Sequence, residues 1–184
     1  IYFKLSTDLV INTSVSGRFN ADLFEKRGSG FGFNGTWSIS DASNGSIYLY
    51  HLDESKRGHK NTQVNLTHNH RFSNGETVNT SINYSGDQYD GQAENQDMTV
   101  QMSYRPVFSF MNVSVTANKF FDLDGDKYDL DKGYQVLNRL PEVNFSFPAY
   151  TTPGVPLTVN FSGMYGKYEE GNLSDKKNTE KKDF

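Results

Sequence analysis

Two short stretches of this chain carry residue types that hold metal ions. Asp122-Leu123-Asp124-Gly125-Asp126 gathers three carboxylates around a glycine. Hard cations such as calcium select that composition, because they take several oxygen ligands and the chain must turn between them. The helix–loop–helix calcium site has its glycine after the third acidic position and closes on a later glutamate. Neither is present, so the stretch is expected to be an exposed acidic loop, with calcium as the alternative. His68-x-His70 puts two imidazoles on one side of an extended strand, a pairing suited to a transition metal. They continue the face of Val64 and Leu66 near a turn at Ser73, without an obvious third ligand. An interfacial position is the expectation, and neither metal nor cofactor is assigned.

Catalytic patterns are scarcer. The chain has no Gly-x-Ser-x-Gly elbow, no His-Glu-x-x-His, no phosphate-cradling glycine loop and no cysteine nucleophile. A Ser, His and Asp brought together from distant strands is the remaining route, and the chain is not expected to be an enzyme. Without cysteine there is neither a disulfide framework nor a Cys-based zinc site. A net charge of −4 gives no reason to propose nucleic acid as a partner. The Lys176, Lys177, Lys181 and Lys182 tail is interleaved with Glu180 and Asp183 and fits a solvated end.

Asn-x-Ser/Thr recurs at Asn34, Asn65, Asn79, Asn112, Asn144 and Asn160. These are formal glycosylation acceptors. A polar face built from Asn, Ser and Thr at period two produces the same triplets without any sugar attached. That face is the most distinctive chemistry in the chain: neutral amides and hydroxyls, with few charges. It suits a wet interior lining. The candidate lining residues, assigned from strand parity, are Asn12, Ser14, Ser16, Arg18, Asn34, Thr36, Asn65, Asn79, Ser81 and Asn83.

The elements that must carry these residues are strands. Ile11, Thr13, Val15, Gly17 and Phe19 alternate with Asn12, Ser14, Ser16, Arg18 and Asn20. Phe31, Phe33, Gly35, Trp37 and Ile39 alternate with Gly32, Asn34, Thr36 and Ser38, and Val78–Tyr84, Met98–Tyr104, Met111–Ala117, Val143–Phe147 and Leu157–Gly163 follow the same rule. The segments run to roughly ten residues, near the ~9–11 that a tilted strand needs to cross a bilayer. About nine or ten strands are expected, and no helix. No stretch approaches the ~18 consecutive apolar residues of a membrane helix.

The connections are expected to alternate between tight and long. Asp41–Gly45, Ser73–Glu76 and Arg105–Val107 read as short turns, with Asn44-Gly45 and Asn74-Gly75 supplying positive φ. Asp53–Lys60, Gly86–Asp97 and Phe121–Asn138 read as long, charged loops. Charges fall almost wholly in connections, Arg18 on the polar face being the clearest exception. Short turns on one side, long loops on the other and 14% aromatic residues are what an outer-membrane barrel uses. The expected fold is therefore all-β: an antiparallel up-and-down transmembrane β-barrel, with 1–184 forming part of a single barrel domain.

Particular residues resemble one barrel family. Phe24-Glu25-Lys26-Arg27-Gly28-Ser29-Gly30-Phe31-Gly32-Phe33, after a short turn at Ser6-Thr7-Asp8, resembles the start of the barrel in LptD, the outer-membrane lipopolysaccharide assembly protein. Tyr134-Gln135-Val136-Leu137-Asn138-Arg139-Leu140-Pro141-Glu142-Val143 resembles a mid-barrel strand opening of that family. As there, a proline-containing turn and a strand (Val155–Tyr168) follow, and the Val64–Tyr84 hairpin is also similar. The resemblance covers most of 3–168. It implies that the chain is roughly the first third of a larger barrel, with a periplasmic β-jellyroll before Ile1 and further strands after Phe184. It also implies transport of lipopolysaccharide into the outer leaflet of the outer membrane of a diderm bacterium. The acyl chains would leave through a lateral gate and the sugars pass through the lumen. The implied partners are lipopolysaccharide, an LptE-like lipoprotein plug, the periplasmic Lpt bridge and outer-membrane lipids. The family's paired cysteines are absent, and no proline matches its gate prolines, since the first is Pro106.

Two alternatives share parts of this pattern. A generic outer-membrane channel would share every compositional feature. A secreted β-sandwich adhesin would instead pack Val100, Met102, Val113, Val115 and Phe161 into a dry core.

Overall fold

The computed structural model describes residues 1–54, 56–90, 95–123, 135–151, 158–172 and 180–183. The period-two segments form strands β1 (Tyr2–Asn12), β2 (Val15–Phe24), β3 (Gly28–Ser40), β4 (Ser43–Glu54), β5 (His59–Arg71), β6 (Thr77–Tyr89), β7 (Asn95–Arg105), β8 (Asn112–Asp122) and β9 (Gln135–Ser146). They are followed by β10 (Tyr150–Thr151), β11 (Thr158–Val159), β12 (Ser162–Asn172) and β13 (Glu180–Asp183). No helix occurs among the described residues. Ten strands, β1 to β9 and β12, are ten to thirteen residues long. With the four-residue β13 they make one antiparallel sheet in the order β1-β2-β3-β4-β5-β6-β7-β8-β9-β12-β13, while β10 and β11 pair separately. Each long strand pairs with the next long strand in sequence, the up-and-down order that alternation predicts. β1 and β13 are its edges, so the described sheet is open.

Several boundaries differ from the sequence expectation. Ser6, Thr7 and Asp8 lie mid-strand in β1, paired with Asn20, Phe19 and Arg18. The first turn is at Thr13-Ser14, within what alternation read as one run. Asn12 makes that turn: its side-chain oxygen accepts from the amides of Ser14 (2.7 Å) and Val15 (2.8 Å), the local bonding that favours Asn at turns. Asn44 and Gly45 are paired β4 residues, opposite Ser38 and Trp37, and neither has positive φ. Gly75 does, at 89°, as the Asn74-Gly75 turn requires. Arg105 ends β7, and Val107 bridges to Asn112.

From β1 to β6 the connections do not alternate between tight and long; Gly86–Asp97 and Phe121–Asn138 include 91–94 and 124–134, which lie outside the described residues. The charged stretches Asp53–Lys60 and Gly86–Asp97 are partly ladder, with Glu54 paired to His59 and Asp87 to both Asn61 and Asn95. The gaps at 25–27 and 55–58 are as short as several on the opposite side. What separates the two ends of the sheet is chemistry. Among the described residues, one end holds Glu25-Lys26-Arg27 and Lys56-Arg57-Gly58; the other holds Thr13-Ser14, Asp41-Ala42 and Pro106-Val107-Phe108-Ser109-Phe110-Met111.

The sheet is a single layer. Tyr168 is the one hydrophobic side chain that counts as buried among the described residues. Met102 is 47% exposed and Phe161 59%. Among the described residues no second sheet covers them, and they form no dry core of a sandwich. Packing is instead lateral, within each face. Phe33 lies over Gly17 and Gly35, Tyr50 over Gly30 and Gly32, Phe145 over Gly163 and Tyr168 over Gly166. Glycine in a strand offers no side chain of its own, and a neighbouring aromatic ring restores the lost contact.

Candidate functional site

The register sorts side chains onto two faces. One carries Leu5, Leu9, Phe19, Phe33, Ile47, Leu66, Ile82 and Val100. On the other, Asp8, Arg18, Asn34, Tyr48, Asn65, Asn83 and Thr99 form one continuous row across seven strands. The next row is Ser16, Thr36, Ser46, Thr67, Ser81, Gln101 and Asn118. A third runs Ser38, Asn44, Asn69, Asn79 and Ser103. Eight of the ten candidate lining residues therefore share the polar face: Ser16, Arg18, Asn34, Thr36, Asn65, Asn79, Ser81 and Asn83. Asn12 and Ser14 belong to the β1–β2 turn.

Within the rows, neighbours bond across strands. The hydroxyls of Ser16 and Thr36 are 2.9 Å apart, as are those of Ser46 and Thr67. Asn69 donates to Asn44 at 3.1 Å, and Asn79 to Ser103 at 3.3 Å. A concavity of about 460 Å³ is lined by Asp8, Ser16, Arg18, Asn34 and Thr36, together with Val10 and Gly17. Another, of about 280 Å³, is lined by Gln63, Asn65, Asn83, Ser85, Asp97 and Thr99, together with Tyr84 and Phe120. Tyr48 stands between them in the same row, half-buried, its ring nearly parallel to that of Tyr50 at 6.4 Å. The arrangement offers many neutral donors and acceptors at strand spacing and no nucleophile–base pair.

The face also carries charged groups, of which only Arg18 was among the candidate lining residues. Arg18 is not a free cation: Nε meets Asp8 Oδ1 at 2.6 Å, and both side chains are exposed. Asp22 is 7% exposed and accepts from Tyr2 Oη at 2.8 Å and Tyr50 Oη at 3.1 Å. In β9, Pro141 has no amide hydrogen to give the ladder, so it must sit at an irregularity. The pairing shifts there on both sides, between Thr116 and Asn118 and between Gly166 and Tyr168. The shift places Arg139 and Glu142 on the same face, 3.7 Å apart. Tyr168 Oη donates to Glu142 Oε2 at 2.7 Å and Asn144 Nδ2 to Oε1 at 2.7 Å. At the charged end, Glu54, His59 and Asp87 form a chain of contacts. Asp8 and Asp22 continue the period-two positions of Ser6 and of Arg18 and Asn20, and that signal could have found them.

The opposite face is apolar along the middle of the strands. Lys119 departs from this, its Nζ 5.1 Å from the centre of the Phe121 ring, toward the charged end of β8. His68 and His70 lie on the apolar face too. Trp37 Nε1 donates to His68 Nδ1 at 3.3 Å, and His70 meets Phe72 edge-on at 4.5 Å. Both rings therefore pack with aromatics, and no group of three metal-binding side chains occurs among the described residues. In the acidic stretch Asp122 ends β8, while Asp124 and Asp126 lie outside the described residues.

No family model, curated protein or solved structure matches this chain.

Proposed function

We propose that this sheet is part of the wall of an outer-membrane β-barrel in a diderm bacterium. Its apolar face meets lipid, and its polar face lines a wet lumen through which the sugars of lipopolysaccharide pass to the outer leaflet. One observation carries the wall reading: a single-layer sheet of ten long strands, apolar on one face and amide- and hydroxyl-lined on the other, with no core beneath it. In water a contiguous apolar face larger than a few hundred Å² is a liability, and so are two unpaired edges. Lipid against the apolar face and closure of the sheet with further strands remove both problems, because every backbone group in a closed barrel is paired.

The cargo follows from the resemblance in Phe24–Phe33 and in Arg139-Leu140-Pro141-Glu142. The polar rows suit it chemically. Neutral amides and hydroxyls exchange hydrogen bonds with water and sugar at similar energy, so a saccharide slides without a deep well. Arg18 is compensated by Asp8, which leaves no net charge in that row to trap a phosphate. Lipopolysaccharide, a lipoprotein plug of the LptE type, the periplasmic Lpt bridge and outer-membrane lipids are the partners on this reading. Transfer makes and breaks no covalent bond, so neither cofactor nor catalytic group is required.

The test uses the full-length parent protein, extracted from outer membranes in detergent and run on a gel with and without heating. A heat-modifiable species that co-purifies with a small lipoprotein supports the reading. A photo-crosslinking residue at Asn83 capturing lipopolysaccharide adds the cargo. A heat-modifiable barrel without that partner or cargo makes it a channel of another kind. A species soluble without detergent sinks the wall itself.

A further inference from the structure

At the charged end of the sheet the ends of three strands meet at one imidazole, and the β2–β3 connection is joined to it through Glu54. Glu54, the last residue of β4, is 6% exposed, and its two oxygens serve different partners. Oε1 takes Arg27 Nε, from the β2–β3 connection, at 2.7 Å; Oε2 meets His59 Nδ1 at 3.0 Å. His59 opens β5, and its other nitrogen, Nε2, meets Asp87 Oδ1 of β6 at 2.7 Å. Asn61 Nδ2 donates to the same Asp87 oxygen at 3.2 Å. The His59 ring stacks on Tyr89, the last residue of β6, at 4.5 Å and 14°. Lys56 Nζ donates to the Glu25 carbonyl at 2.9 Å, which joins 56–58 to 25–27. The turn into β5 uses Gly58 at φ 62°, where a Cβ would also strike Asp90.

A neutral imidazole has one N–H and one lone pair. With a carboxylate against each nitrogen, the neutral ring turns its lone pair toward an anion, whereas the imidazolium donates on both sides. This cluster sits on the terminal rungs of β4, β5 and β6. At the same level the other face carries Asp53, Lys60 and Gln88, so it stands above the apolar belt.

We propose that His59 is a pH-sensitive fastener: charged, it ties the ends of β4, β5 and β6 together over the mouth of the conduit, and neutral, it lets those strand ends fray. The location at a mouth rests on the wall reading; the fastening rests on the contacts alone. The groups facing the ring are Glu54 from β4, Asp87 and Tyr89 from β6, and, behind Glu54, Arg27 and Arg57. Asp90 lies beside Gly58, and Lys60 points to the opposite face of β5.

The hydrogen bonds to Glu54 and then Asp87 hold His59 above its ordinary range, against the opposing effect of burial. The hydrogen bond from His59, helped by the Arg27 and Arg57 charges, holds Glu54 below the ordinary carboxylate range, again against burial. A raised imidazole stabilises fully below its unfolded value of about 6.5 and loses that contribution as pH rises through the folded value. A depressed carboxylate stabilises above its unfolded value and loses that contribution as pH falls. The fastener is closed between these limits and released by alkali through His59.

Backbone hydrogen exchange of the full-length parent in micelles, corrected for intrinsic rate, tests this between about pH 5.5 and 9. Protection of 53–60 and 85–90 is expected to fall several-fold in one step, with a midpoint above about 6.5. His59→Asn is expected to remove the step, and Asp87→Asn to move its midpoint down. Flat protection in the unaltered protein, or a step that survives His59→Asn, overturns the proposal. Heat modifiability of the same samples is read in parallel. A step retained in a protein soluble without detergent supports the fastener while removing the barrel mouth.

Discussion

The indole of Trp37 occupies the space that a side chain on Gly45 would fill. The two residues are register partners on the apolar face of β3 and β4, and the indole nitrogen continues to His68 on β5. One ring thus spans three strands, and it does so only because position 45 has no Cβ. Gly45→Val is expected to destabilise the sheet by about 1–3 kcal/mol through overpacking. Removing the ring in the same chain, Trp37→Ala with Gly45→Val, should return part of that loss. The check is the temperature at which the unheated gel band converts to the heated one; a Gly45→Val protein converting at the original temperature would contradict the packing.

Asp22 fastens the edge of the sheet in a similar way, by hydrogen bonds. Its carboxylate joins Tyr2 on β1 to Tyr50 on β4 across the two strands between them. Among the described strands β1 pairs with β2 alone, so this bond is expected to matter more to it than to β5 or β6, which are paired on both sides. Tyr50→Phe removes one donor and is expected to cost about 1.5–3 kcal/mol, the range for a hydrogen bond to a charged acceptor. Asp22→Ala frees both phenols, and amide exchange in Tyr2–Asn12 should accelerate more than exchange in β5 or β6. Equal acceleration throughout would mean that Asp22 stabilises the sheet without anchoring its edge.

The alternation of Val78–Tyr84 or Phe31–Ile39 made the strands legible from sequence, because period two is a local property. So was the membership of Asn34, Asn65 and Asn83 in one face. Their alignment in a single row was not legible, since register depends on where each turn falls. The Thr13-Ser14 turn was hidden because Asn12, Ser14 and Ser16 keep polar parity straight through it, and Asn12 spends its side chain on the turn. The stretch from Asp53 to Lys60 looked like a loop because charge is a loop signal. Yet Glu54 and His59 are each other's ladder partners, and their side chains meet at 3.0 Å. Parity placed Asp22 on the polar face, but its role was not legible, because the phenols it accepts from, Tyr2 and Tyr50, are twenty or more residues away.

The two faces of β6 separate lipid from water in one experiment. Ile82 sits near the middle of that strand, flanked by Leu66 and Val100, and Ser81 beside it points the other way, flanked by Thr67 and Gln101. If the apolar face meets lipid, Ile82→Arg places a cation near the bilayer centre and costs about 2–4 kcal/mol, whereas Ser81→Arg enters a wet lumen at little cost. If both faces were in water, each would be an ordinary surface substitution, within about 0.5 kcal/mol of neutral. Folding into lipid vesicles across a urea series measures both variants on one scale. A gap of 2 kcal/mol or more between them is the expected outcome, and near-equal stability would remove lipid from the Ile82 face whatever the gel behaviour of the parent protein.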